Sequence, residues 1–151
     1  MGLDSLSAAK RMCERSNWSM TNLTLHKILY IAHMYYLGLK SEPLVKGHFQ
    51  AWIYGPVHPE IYHYVKVFGA SPIGNIFRSI KDPPEGDLTD VLDQAVDQLS
   101  NTKPGTLIAL THREYGAWAK YYRSSIRNAI IPNEDIKNEY EEFQRRKKLQ
   151  A

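Results

Sequence analysis

Along most of the chain, apolar residues recur at the three-to-four spacing of helices, and a single stretch falls into the alternation of a strand. Leu6, Ala9, Met12 and Cys13 share one side of a helix predicted over Leu3 to Arg15, with Asp4 or Ser5 as its cap. A polar loop from Ser16 to Asn22 carries Trp18. Thr24 is then predicted to cap a helix in which Leu25, Ile28, Leu29, Ala32 and Tyr36 form one stripe, ending near Gly38. Tyr30, Ile31, Met34 and Leu37 carry its apolar surface round most of the circumference. Such a helix is buried on more than one side, so it is predicted to be the centre of the core.

The strand signal lies at Phe49 to Tyr54, where Phe49, Ala51 and Ile53 alternate with Gln50, Trp52 and Tyr54. Leu44 and Val45 are the candidate partner strand. Gly55-Pro56 is predicted to end the segment, because glycine takes the angles of a sharp reversal and proline fixes its own φ. Pro59 then suits a first helical position and Glu60 the first turn, which predicts a helix to Gly69. The expected order is strand, rigid corner, helix.

Ile76 to Ile80 shows neither period, and Asp82-Pro83-Pro84-Glu85-Gly86-Asp87 reads as a loop. A helix is predicted from Thr89 to about Ser100, another capped by Thr102 with Pro104 just inside it, and a short aromatic helix over Ala117 to Ser125, closed by Ile130-Ile131-Pro132. Asn133 caps the last helix, 133–149, with Ile136, Tyr140 and Phe143 as a narrow apolar seam. The fold class is therefore mainly α: a compact single-domain helical bundle of about six or seven helices over residues 1–151, with a small β ribbon around Phe49 to Tyr54.

Composition narrows the class. The 151 residues are 43% hydrophobic and 23% charged, which excludes a disordered chain, and no apolar run reaches the roughly 20 residues of a membrane span. No apolar signal core opens the chain and Cys13 is its one cysteine, so a reducing, cytoplasmic setting is expected. The net charge of +3 comes largely from Arg145, Arg146, Lys147 and Lys148 at the end of the last helix. That cluster suits either a solvated helix end or an acidic partner; basic residues are not spread over a face as nucleic-acid binding requires.

Candidate chemistry is sparse. His26, Tyr30 and His33 fall on one side of the central helix, but no carboxylate joins them, so no metal is expected. His58, His63 and His112 with Glu60 or Glu114 could supply acid–base groups, yet nothing in the sequence brings them together with a nucleophile. Scattered glycines make no phosphate loop, so no cofactor is expected and the protein reads as a non-enzyme. Trp52, Tyr54, Tyr62 and Tyr64 suit core packing and partner contact equally. Tyr62, Tyr64 and Lys66 are the candidate partner-binding residues, on the assumption that Ile61, Val65 and Phe68 turn the other side of their helix to the core.

Three blocks together resemble the Panacea domain, the SocA-like antitoxin family. Thr24-Leu25-His26-Lys27-Ile28-Leu29-Tyr30 is similar to its helix motif, Phe49 to Tyr62 contains its Ala-Trp-x-Tyr-Gly-Pro-Val block unbroken, and Leu110-Thr111-His112 through Trp118 is similar to its later His and Trp block. His26 stands where the family pattern has Gln, and Ala117 where proline is common. Carried over by position, the motif residues are Leu25, Lys27, Tyr30, Ala51, Trp52, Tyr54, Gly55, Pro56, Val57, His112 and Trp118. The resemblance implies an antitoxin that neutralises a cognate toxin by direct protein binding, including as a proteolytic adaptor that delivers it to the ClpXP protease. The alternative is a DNA-binding regulator of its own operon, for which the sequence offers no recognition helix with clustered Arg, Asn or Gln.

Overall fold

Helix α2 (Asn22–Lys40) runs through the centre of a computed structural model that describes residues 2–150, and every residue from Leu25 to Met34 is buried. Among the described residues, seven α-helices and a three-stranded antiparallel sheet share one hydrophobic core. None of these helices is long and apolar enough to cross a membrane. The cap of α2 lies one turn earlier than predicted. Thr21 Oγ1 accepts from the Thr24 amide at 3.3 Å and the Thr21 amide donates to Thr24 Oγ1 at 3.0 Å, so Thr24 is the inner half of a reciprocal cap.

The helix also continues through Gly38 to Lys40, and the glycine has a packing reason. Helix α7 (Asn133–Gln150) crosses α2 there, and a Cβ on Gly38 would overlap the ring of Tyr140. The seam is extended by Tyr35, which meets Tyr140 edge-on at 5.2 Å. On another side, α1 (Ser5–Arg15) and α4 (Asp87–Leu99) are joined by a two-pronged ion pair, Arg11 Nε and Nη2 to the Asp93 carboxylate at 2.9 and 2.6 Å. Helix α3 (Pro59–Val65) continues as a 3-10 turn (Lys66–Phe68) that ends at Gly69, over the predicted span. Helices α5 (Pro104–Thr111) and α6 (Ala117–Tyr121) follow, with Lys103 rather than Thr102 preceding Pro104, and α6 stopping before Ser125.

The sheet differs from expectation. Strand β1 (Phe49–Trp52) pairs with β2 (Gly55–Val57) on one side and β3 (Ala129–Ile131) on the other. Gly55-Pro56 is thus the start of a return strand rather than a corner into a helix, with Gln50 opposite Val57, Ala51 opposite Pro56 and Trp52 opposite Gly55. Ile53 and Tyr54 make the turn. Proline is tolerated because β2 is an edge strand and its missing N–H is not needed by the ladder. Leu44 and Val45 instead hold the N-terminal segment: Leu3 N donates to Leu44 O and Lys46 N to Leu3 O, at 2.8 and 2.9 Å.

Alanine at Gly38 gains about 1 kcal/mol of helix propensity but must displace the Tyr140 ring. Overpacking of this kind costs about 1–3 kcal/mol. Gly38→Ala is therefore expected to be net destabilising by urea denaturation, and a raised midpoint would show that α7 is not seated on this position.

Candidate partner-binding site

Lys27 is the residue from which the site is built. It lies within the apolar run of α2, is 1% exposed, and its ammonium donates to the backbone carbonyl of Tyr54 at the hairpin turn. Burial alone lowers its pKa to about 8. Gly55 is required beside it for two reasons. Its φ is +119°, and a Cβ there would overlap Lys27 Nζ and lie 3.0 Å from His112 Nε2.

His112, at the end of α5, stacks on Trp118 of α6 with centroids 3.8 Å apart and planes at 12°. Trp118 stacks in turn on Tyr122 and donates its indole N–H to the Trp52 carbonyl at 2.6 Å. The hairpin is thereby held at two positions on either side of Ile53, Trp52 by α6 and Tyr54 by α2. All three sequence blocks meet at this point.

Beside the junction lies a surface pocket of about 520 Å³ lined by Leu23, Trp52, Ile53, Tyr54, Val57 and Tyr62 among others, with Lys27 and His26 also in its wall. Ile53 and Tyr54 at its rim are 63% and 66% exposed. The trio Tyr62, Tyr64 and Lys66 does not form one face. Tyr62 meets Trp52 edge-on at 4.7 Å and lines the pocket, whereas Tyr64 packs against Phe77 at 5.5 Å and donates to the Ile76 carbonyl. Positions two apart on a helix point about 200° apart, which separates the two tyrosines; Lys66 is exposed in the 3-10 turn.

The remaining motif residues serve the core. Leu25 and Ala51 are fully buried, Val57 and Pro56 are buried in the edge strand, and Tyr30 donates its hydroxyl to Glu139 Oε1 at 2.6 Å. Glu139 also accepts from the Ala117 amide at 3.0 Å, so it ties α2, α6 and α7 together. Burial raises its pKa. Sequence reading missed Glu139, although its position three residues after Ile136 and four before Phe143 places it on the apolar seam of α7. It also missed Ile53 as an exposed apolar turn residue.

The histidines act as joints. His33 Nε2–H donates to Asn133 Oδ1 at 2.9 Å and its Nδ1 accepts from the Val45 amide at 3.4 Å, which fixes the neutral ring. Asn133 thus spends its side chain on His33. His26 faces two carbonyls, Asn22 O at 2.9 Å from Nδ1 and His58 O at 3.2 Å from Nε2. Among the described residues, no group of three or more His, Cys, Asp or Glu is placed to hold a metal ion. The acid–base candidates are not assembled either: Glu60 accepts from Ser5, while His63 and Glu114 are exposed. In the C-terminal basic cluster, Arg145 and Arg146 both bond Glu142, and the Arg146 guanidinium lies 4.3 Å from the Tyr115 ring.

The antitoxin SocA-like, Panacea domain family matches residues 25–119, an interval that contains Lys27, Trp52, Tyr54, Gly55, His112 and Trp118 and leaves α1, β3 and α7 outside. The chain is also similar to the antitoxin SocA of Caulobacter vibrioides (strain NA1000 / CB15N), 32% identical over 111 residues. That alignment covers 66% of this chain and 58% of the relative, so the chain spans less than two thirds of the relative's length. No solved structure matches it.

Two outcomes follow from the geometry. Valine at Gly55 has to adopt a positive φ and displace the Lys27 ammonium, so Gly55→Val is expected to lose more than about 1 kcal/mol of stability in thermal or urea unfolding; an unchanged midpoint would remove the junction from its structural role. Burial holds His26 and His33 at a pKa of about 4, against an ordinary value of 6.5. The folded protein then binds fewer protons than the unfolded chain between those values. Stability is full above pH 6.5 and is lost as the pH falls toward 4. The unfolding midpoint should drop between pH 7 and pH 5, and a flat profile there would contradict buried neutral rings.

Proposed function

The chain belongs to the SocA-like Panacea domain family, and on that premise we propose that it is an antitoxin that neutralises a cognate toxin by direct protein–protein contact through the hairpin face. One observation carries the choice of face. A two-residue turn presents Ile53 and Tyr54 to solvent at the rim of an apolar pocket, on a hairpin clamped from behind by Lys27 and Trp118. Exposed apolar and aromatic groups on a rigid support fit an interface anchor, because little ordering entropy is lost on binding. Tyr62 belongs to this face, and Lys66 lies just beyond it on the same connection.

The finer reading, in which the antitoxin acts as a proteolytic adaptor that hands its toxin to ClpXP, rests on the family resemblance. It adds a second surface to the proposal and a distinct readout. Toxin half-life shortens in cells that hold both the antitoxin and the protease, and reverts when the protease is removed. A half-life independent of the protease would leave sequestration as the mechanism.

Co-expression with the small protein encoded beside this chain should rescue growth, and the two should co-purify. Alanine at Ile53, Tyr54 or Tyr62 is expected to weaken the complex by about 1–2 kcal/mol for each residue that acts as an anchor, with Lys66→Ala lowering its salt sensitivity. Tyr64→Ala is expected to lower the unfolding midpoint instead, through lost packing on Phe77. If alanine at Ile53, Tyr54, Tyr62 and Lys66 leaves rescue and co-purification intact, this face is wrong; if the wild-type pair never associates, the contact mechanism fails.

A further inference from the structure

The Lys27 ammonium lacks a counter-ion. It carries three N–H donors and gives one to the Tyr54 carbonyl, yet among the described residues no carboxylate forms an ion pair with it. A buried cation without an anion destabilises a fold, and a methionine of similar shape would pack there at less cost. Stability therefore does not account for a lysine at this position. A second buried polar atom, His112 Nε2, sits on the same side of Gly55 as the ammonium and makes no hydrogen bond of its own.

Around these groups the lining is apolar. Leu23, one helical turn before Lys27, joins Trp52, Val57, Tyr62 and Ala70 as the pocket wall. A phosphate-rich ligand would meet too few polar groups here, and a purely apolar one would leave the ammonium uncompensated. We propose that this pocket binds a carboxylate carried on an apolar body, with the Lys27 ammonium as its counter-ion and the Trp52, Tyr62 and Leu23 side chains enclosing the apolar part. Resting on the antitoxin reading above, the occupant is an acidic side chain of the toxin flanked by a bulky apolar residue. The charge complementarity is that of an anion entering where the protein supplies an unmatched cation.

A toxin-independent probe separates this inference from the function it rests on. The full chain is titrated with 3-phenylpropanoate and with 3-phenylpropanamide, which differ in the anionic group alone, while amide and indole resonances are followed by NMR. The acid is expected to shift the Trp52 indole and the Leu23, Tyr62 and Ala70 amides saturably and to bind at least tenfold more tightly than the amide. Lys27→Met, expected to keep or raise the unfolding midpoint, should abolish that preference and weaken toxin co-purification at least tenfold. Equal binding of acid and amide to the wild-type protein, or no saturable shift in the pocket, overturns the proposal, and this comparison decides even if Lys27→Met fails to fold. Toxin binding unchanged in a folded Lys27→Met removes the toxin carboxylate as the occupant. Absence of a wild-type toxin complex, by contrast, defeats the antitoxin reading while the acid–amide ratio still reports on the pocket.

Discussion

The contact between the Lys27 ammonium and the Tyr54 carbonyl constrains more of this molecule than its size suggests. A lysine in the middle of a helix buried on all sides has to find an acceptor within reach of its stem, and the acceptor here is the backbone of the hairpin turn. That requirement sets where β1 and β2 lie against α2 and makes a side chain at position 55 untenable. It also places His112 close to the same turn. From His112 the stack through Trp118 to Tyr122 carries α6 against the hairpin, and the Trp118 indole fixes the carbonyl two residues before the one that Lys27 holds. Any side chain in place of the glycine would expel the lysine.

A second polar joint works at the other end of the core by the opposite sign. Glu139 is 1% exposed and takes a hydroxyl from α2 and an amide from the start of α6, so one buried carboxylate registers three helices. Each joint uses one backbone group that helix or turn geometry leaves unpaired, the Tyr54 carbonyl and the Ala117 amide. Between them the core is apolar and tightly packed, as the contact of Gly38 with Tyr140 shows. Specific orientation comes from the two charged joints, and bulk stability from the packing.

For the proposed function, the consequence is a preorganised hairpin tip. Its turn residues are apolar and exposed, which would be costly without a partner, yet the hairpin is tied at the Trp52 and Tyr54 carbonyls and does not have to be ordered on binding. The family match spans 25–119, so Lys27, Trp52, Tyr54, Gly55, His112 and Trp118 lie inside it, while α1, β3 and α7 lie outside and pack around it.

How much of this was legible in the sequence depended on the range of the interaction. Helical periodicity and cap or first-turn residues such as Pro59 and Pro104 located the seven helices of the described residues, and the all-round apolar character of α2 identified the core, because these signals arise from neighbours within two turns. The Ala-Trp-x-Tyr-Gly-Pro-Val block marked the hairpin but not its shape. Glycine and proline read locally as a stop, and they became a return strand through pairing with Ala51 and Trp52 and through its edge position. Likewise Gly38 read as a helix end until α7 packed over it. Which of Tyr62 and Tyr64 faced the pocket, and whether Asn133 capped its helix or held His33, were settled by partners 12 to 100 residues away. Sequence by itself determined the elements and the central helix, since local propensity and burial period suffice for them; the tertiary structure alone decided the meeting of Lys27, Gly55 and His112, since their proximity depends on long-range packing that no local spacing encodes.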